Sequence, residues 1–226
     1  MYQSSSIPLL VIILVCLNAI YVHSELRSPY IFLDVGALRS RQDDLPSTIE
    51  KAPTDKTSTQ FRGGAGVFGA PRADGKTHSG VDIVANQSST DKNLYRVMAV
   101  KGGTVAYART NGAAAEGYGY TLVVDHGDGF YSLYAHLATN ASKDLVKLGD
   151  NITAGQVIGY MFDPETGETS SGNAQSESVA AWDRMQIHFE LIKAPKGRTS
   201  TGGLGPIKAD ATVVDPTSRL RDFGYH

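Results

Sequence analysis

Residues Tyr120–His136 read YTLVVDHGDGFYSLYAH. Two short runs rich in β-branched and aromatic residues flank Asp125-His126-Gly127-Asp128-Gly129, whose glycines and aspartates accept the positive φ of tight turns. That pattern predicts a β-hairpin. The same character continues to either side. Val81–Ala85, Val97–Val100, Gly103–Ala108, Gln156–Met161 and Met185–Ile192 are short, apolar and bounded by Gly, Asn or Asp. Turn signals recur about every ten residues, the rhythm of an antiparallel β domain. Only Ser176–Arg184 suggests a helix, and a short one. The expected fold class is therefore all-β, an antiparallel β-sheet core spanning 61–226. Two polar, small-residue stretches interrupt it, Phe162–Asp183 and Pro195–Asp210, as functional walls or as decoration.

Composition agrees. The 226 residues suffice for one good core and are too few for two large domains. Lys and Arg number 21 against 23 Asp and Glu, a formal charge of −2 that supplies no broad basic surface, so nucleic acid is excluded as a partner. With Gly at 24, a helical solenoid or coiled coil is excluded as well. The single cysteine, Cys16, lies inside the apolar run Ile7–Val22. This run reads as the core of a signal peptide, 1–24, cleaved after Ser24, although no Lys or Arg precedes it. Val15 is too bulky for a lipoprotein site. An uncleaved anchor is the alternative, against which stand Asn18 and a length short of the roughly 20 residues a spanning helix needs. The mature chain then has no cysteine, which removes disulfides, thiol catalysis and Cys–zinc sites together, and no membrane association remains after signal removal. Residues 25–60 read as a polar lead-in, with one strand candidate at Tyr30–Val35 and a linker at Leu45–Gln60.

Four histidines fall in the β domain: His78, His126, His136 and His188. His78-Ser79-Gly80-Val81-Asp82 sets an imidazole and a carboxylate four residues apart at the entrance of an apolar run, with Gly80 permitting a tight turn. Both are zinc-competent ligands, yet alone the pattern equally describes a turn with a capping aspartate. Met185–Glu190 offers a third ligand. Strand alternation places Gln186, His188 and Glu190 on one face and Ile187 and Phe189 on the other. Two histidines and one aspartate with an open fourth position would be a catalytic rather than a closed structural arrangement.

FGAPR at 68–72, HSGVD at 78–82, Gly117–Leu137, VKLGDNITAGQVIG at 146–159, IHFEL at 187–191 and VVDP at 213–216 occur in this order. The ordered set resembles the lysostaphin-type, or LytM-like, zinc endopeptidases that cut peptide cross-links of bacterial peptidoglycan. The resemblance covers Phe61–Leu220 and implies a barrel-sandwich-like sheet with long loops around a zinc cleft. It assigns one Zn2+ to His78, Asp82 and His188 and a catalytic role to His136. The departure is Gln186, where the family has a second catalytic histidine. Glutamine can donate a hydrogen bond to a developing oxyanion but cannot relay a proton near neutral pH. Losing such a partner costs about 10²–10⁴ in rate.

The resemblance thus implies a secreted, monomeric zinc metalloendopeptidase acting on peptidoglycan peptide, with reduced activity. The alternative is a non-catalytic wall-binding protein or a regulator of another wall hydrolase. A third reading, a secreted animal signalling protein, rests on the sequons at Asn86, Asn140 and Asn151, and a cysteine-free mature chain fits it poorly. His126 is expected as a turn residue. Glu190 is expected either to support a ligand by hydrogen bonding or to be a solvated charge. Tyr118, Tyr120, Tyr131 and Tyr134 are expected in sheet packing, and Trp182 in a loop walling the cleft.

Overall fold

Among the described residues twelve strands form, the longer ones where β-branched and aromatic residues alternate between glycine-marked turns, and all their pairings are antiparallel. They are β1 Thr59–Phe61, β2 Val81–Ala85, β3 Arg96–Met98, β4 Gly103–Asn111, β5 Gly119–Asp125 and β6 Phe130–Leu137, followed by β7 Asn151–Ile152, β8 Val157–Tyr160, β9 Phe162–Asp163, β10 Glu168–Thr169, β11 Gln186–Lys193 and β12 Thr212–Val214. The structure is a computed structural model that describes residues 48–73, 75–87, 89–111, 117–169, 185–199 and 204–226. All of these belong to one unit, Asp44–His226. The signal peptide 1–24, the strand candidate Tyr30–Val35, the helix candidate Ser176–Arg184 and Trp182 lie outside the described residues.

The main sheet has the order β1-β2-β11-β6-β5-β4-β7. β11 organises it. One edge pairs with β6, while the other takes β2 along its first half and β12 along its second. The DHGDG turn joins β5 to β6 as the sequence predicts, with Gly127 and Gly129 at φ +76° and +89°.

Alternation gives the sheet two apolar faces. Val81, Ile83, Tyr134, Ile187 and Phe189 pack with Val97 and Ile158 of the small β3–β8 sheet. On the opposite face Val123, Leu133, Ala135 and Ile192 pack against Leu204 and Ile207, at the short helix Gly205–Lys208. Gln186 and His188 share this second face at the other end of β11, where apolar cover stops and the site begins.

Residues 48–60 differ from the expected linker. Ile49 is fully buried, Glu50 and Lys51 both donate backbone N–H groups to Val100 O, and β1 extends the sheet edge beside β2. Thr54 Oγ1 lies 2.8 Å from both Thr59 Oγ1 and Tyr225 Oη. The threonines and serines that make this stretch look like a tether are hydroxyl partners for backbone in a packed edge. Among the described residues no helix is long and apolar enough to cross a membrane.

Candidate active site

His78 is fixed before β2 by a small irregular hairpin: Gly69 donates to its carbonyl, and it donates to that of Ala70, at 2.9 and 2.8 Å. Asp82, in β2, stands directly opposite His188 in β11. His78 Nε2 is 2.8 Å from His188 Nδ1, and Asp82 Oδ1 is 3.2 Å from the first and 3.1 Å from the second. All three side chains are buried. Gly80 makes this convergence possible by packing rather than by turning. Its φ is not left-handed, but a Cβ there would run into Phe189 O and sit 2.8 and 2.9 Å from His188 ring atoms.

The hydrogen bonds on the far side of each ring fix what the near side offers. His78 Nδ1 is 2.9 Å from Val67 O, and His188 Nε2 is 2.9 Å from Glu190 Oε1. A carbonyl and a carboxylate only accept, so each of those nitrogens carries the proton. The inward nitrogens and Asp82 Oδ1 are then three lone-pair donors within hydrogen-bond distance of one another. A proton or a cation must lie among them. The edges of a tetrahedral zinc site with bonds of about 2.0–2.1 Å are about 3.3 Å, slightly longer than these separations, so the donor set fits a metal ion of that size. Burial alone would raise Asp82, yet hydrogen bonds from His188 and His78 outweigh it and hold its carboxyl well below the usual range. Burial would lower His188, but Asp82 and Glu190 raise it overall.

His136 reaches the same place by a backbone irregularity. Along β6, Leu133 and Ala135 belong to one core and Tyr134 to the other. Strict alternation would send residue 136 to the Tyr134 side. Instead Leu137 packs there, the β5–β6 register slips between Tyr120 and Leu122, and His136 has φ +61°. His136 is thus the extra residue of a β-bulge, in a left-handed conformation that costs a non-glycine residue about 1–2 kcal/mol. The bulge turns its ring toward His188, with centroids 6.2 Å apart. Its Nδ1 is buried without a hydrogen-bond partner. Burial, reinforced by the neighbouring His188, pushes the imidazole down to about 4, so it is neutral near pH 7.

Gln186 is buried beside them, and Arg62 Nη1 donates to its Oε1 at 2.9 Å. Glu190 is fully buried and bonded on several sides. Besides His188, its Oε1 accepts from Ser79 Oγ at 2.6 Å and Tyr118 Oη at 2.8 Å, while Lys208 Nζ lies 2.8 Å from Oε2. Burial would raise this carboxyl, but His188 and Lys208 hold it down to about 2. It supports His188 by hydrogen bonding and is not a solvated charge. Arg62, Lys208 and Tyr118 are the members sequence reading misses. No local motif marks the first two, and Tyr118 reads as sheet packing. His126 is a turn residue, its ring nitrogens 2.9 Å from Gly102 O and 3.0 Å from Ser132 Oγ. A cleft of about 510 Å³ opens over His78, Asp82, His136, Gln186 and His188.

The family model of Peptidase family M23 matches residues 76–199, more than half of the chain, and the chain belongs to this family. The match contains His78, Asp82, His136, Gln186 and His188 but not Arg62. No curated protein matches the chain. Among solved structures, the chain is similar to the antimicrobial peptidase lysostaphin from Staphylococcus simulans, with 23% identity over 79% of this chain and 56% of that one and a TM-score of 0.47. It is similar to a zinc containing peptidase from Vibrio cholerae, with 22% identity over 64% of this chain and 36% of that one and a TM-score of 0.40. A putative glycyl-glycine endopeptidase LytM from Ruminococcus gnavus shares 17% identity over 78% of this chain and 61% of that one, with a TM-score of 0.49. In each case the match spans less than two thirds of the solved chain.

Proposed function

We propose that the protein is a secreted zinc metalloendopeptidase that hydrolyses peptide cross-links of bacterial peptidoglycan. Membership of a peptidase family supports the reaction class. The observation that carries the reading is the convergence of His78, Asp82 and His188, with both imidazoles anchored so that lone pairs point inward. A zinc ion held there would polarise a peptide carbonyl and lower the pKa of water at its open position. His136, neutral and beside the triad, takes the proton of the attacking water on its ring nitrogen facing the cleft. Gln186, its oxygen held by Arg62, presents its Nε2 hydrogens to the carbonyl oxygen as negative charge develops. Export rests on the apolar run Ile7–Val22.

Gln186 favours one second reading, a wall-binding or regulatory protein that does not cut. The test is hydrolysis of purified peptidoglycan by zinc-loaded protein, beside His136→Ala and Gln186→His. Release of peptide termini by the wild type and its loss in His136→Ala is the expected result. An inert wild type together with an active Gln186→His gives the second reading to the native chain.

A further inference from the structure

The cleft is far more positive than the chain that builds it. The protein carries a formal charge of −2, yet Arg62, Arg72, Lys76 and Lys208 all line this one cleft, and among the described residues Asp82 is the sole carboxylate residue lining it. Asp82 is committed to His78 and His188. Lys208 is matched by Glu190 behind it at 2.8 Å. Arg62 and Arg72 are not matched in this way: both are half-buried, and among the described residues no carboxylate lies within 4.0 Å of either guanidinium. Arg62 donates one of its five N–H groups to a neutral amide, and its stem lies against Gly66, where a Cβ would come within 2.7 Å of it. A cation placed this way gains most from a ligand carboxylate, which a planar guanidinium receives in a two-pronged hydrogen bond.

We propose that the cleft selects an anionic peptide, receiving a carboxylate near the scissile bond at Arg62 and Arg72, and discriminates against uncharged segments such as polyglycine. This inference rests on the peptidase reading for the existence of a bound peptide and adds the charge that peptide must carry. The carboxylate belongs either to an acidic side chain or to a chain terminus, and the test separates the two.

Three acetylated tetrapeptides serve as probes: Ala-Glu-Ala-Ala with an amidated terminus, Ala-Gln-Ala-Ala with a free terminus, and Ala-Gln-Ala-Ala amidated and neutral. Their affinities for the full chain are measured by calorimetry, both zinc-loaded and after chelation, at low and high salt. At least one carboxylate peptide binds about tenfold or more tighter than the neutral one, in both metal states, because a charge-assisted pair contributes about 1.5–3 kcal/mol. The preference shrinks at high salt and is lost in Arg62→Gln and Arg72→Gln, while Arg72→Lys retains part of it. Each variant is compared with wild type by its melting temperature, so a folding defect is recognised, and Arg72→Lys then carries the comparison. Equal affinity for the three peptides, no binding of any, or a preference untouched in both arginine variants overturns the inference. Hydrolysis of peptidoglycan without charge preference removes the inference and leaves the peptidase reading. Preference without hydrolysis does the reverse.

Discussion

Arg62 Nη1 donates to Gln186 Oε1 across a separation of 124 residues in sequence, and this one bond fixes how the amide is oriented. A guanidinium cannot accept, so the atom it touches is the oxygen and the opposite end is the NH2 donor. Gln186 is therefore held in one orientation, with its NH2 end turned away from Arg62.

Gln186→Leu is expected to lower turnover about 10²–10³-fold, the usual cost of losing one oxyanion donor. Arg62→Met lowers kcat about tenfold by letting the amide rotate, with zinc content unchanged. Arg62→Met combined with Gln186→Leu is expected to show the kcat of Gln186→Leu alone, because Arg62 acts on kcat through the amide while its contact with a substrate carboxylate bears on KM. A double-mutant cycle on kcat checks this, and additive losses would sink it.

Gly80→Ala is expected to abolish stoichiometric zinc binding while the strands persist. The added methyl falls 2.8–2.9 Å from His188 ring atoms and collides with a backbone carbonyl, so β2 and β11 must part at the ligands. Zinc is expected to raise the melting temperature of wild type by binding only the folded state, and this rise should disappear in Gly80→Ala and in His188→Ala. Equilibrium dialysis and calorimetry provide the check.

Sequence reading and structure agree where the physics is local. The strand Val81–Ala85 is legible residue by residue, and the period of two in Met185–Glu190 places Gln186 and His188 on one face from spacing alone. What escapes is set by contacts distant in sequence. Glu50 and Thr54 sit in a polar stretch that resembles a tether, and only their partners Val100 and Tyr225 reveal an edge. Arg62 ends that stretch with no motif around it. His136 is legible as a residue, but the slip in register that aims it is invisible in the string YAHL. Gly80 is noticed for the wrong reason, backbone freedom in place of a close approach.

Glu190→Gln is expected to destabilise the fold by about 3 kcal/mol, since Lys208 is left partly buried without its counter-ion. Zinc affinity falls about 10–100-fold because the partner of His188 Nε2 is weakened. Lys208→Met added to Glu190→Gln recovers part of the stability and none of the affinity. Urea unfolding and zinc competition assays separate the two effects.

His126 links stability to acid. Burial pushes its imidazole below the ordinary value near 6.5. A depressed folded-state value means that the folded protein binds this proton less readily than the unfolded chain does. Its contribution is whole above about pH 6.5 and is lost as pH falls below that. His188, raised by its carboxylates, has the opposite sign but is common to wild type and variant. The urea midpoint of wild type should therefore fall more between about pH 7.5 and 5 than that of His126→Gln. Parallel curves for the two proteins would refute the assignment.

The slipped register in β6 gives the scaffold a discrete off position. Deleting one residue between Tyr134 and Leu137 would restore an unbroken ladder and aim whatever follows Ala135 into hydrocarbon. His78, ahead of β2, and Asp82 and His188, on β2 and β11, would keep their places. A single-residue change in β6 would thus act on His136 alone, the ring that the bulge aims at His188.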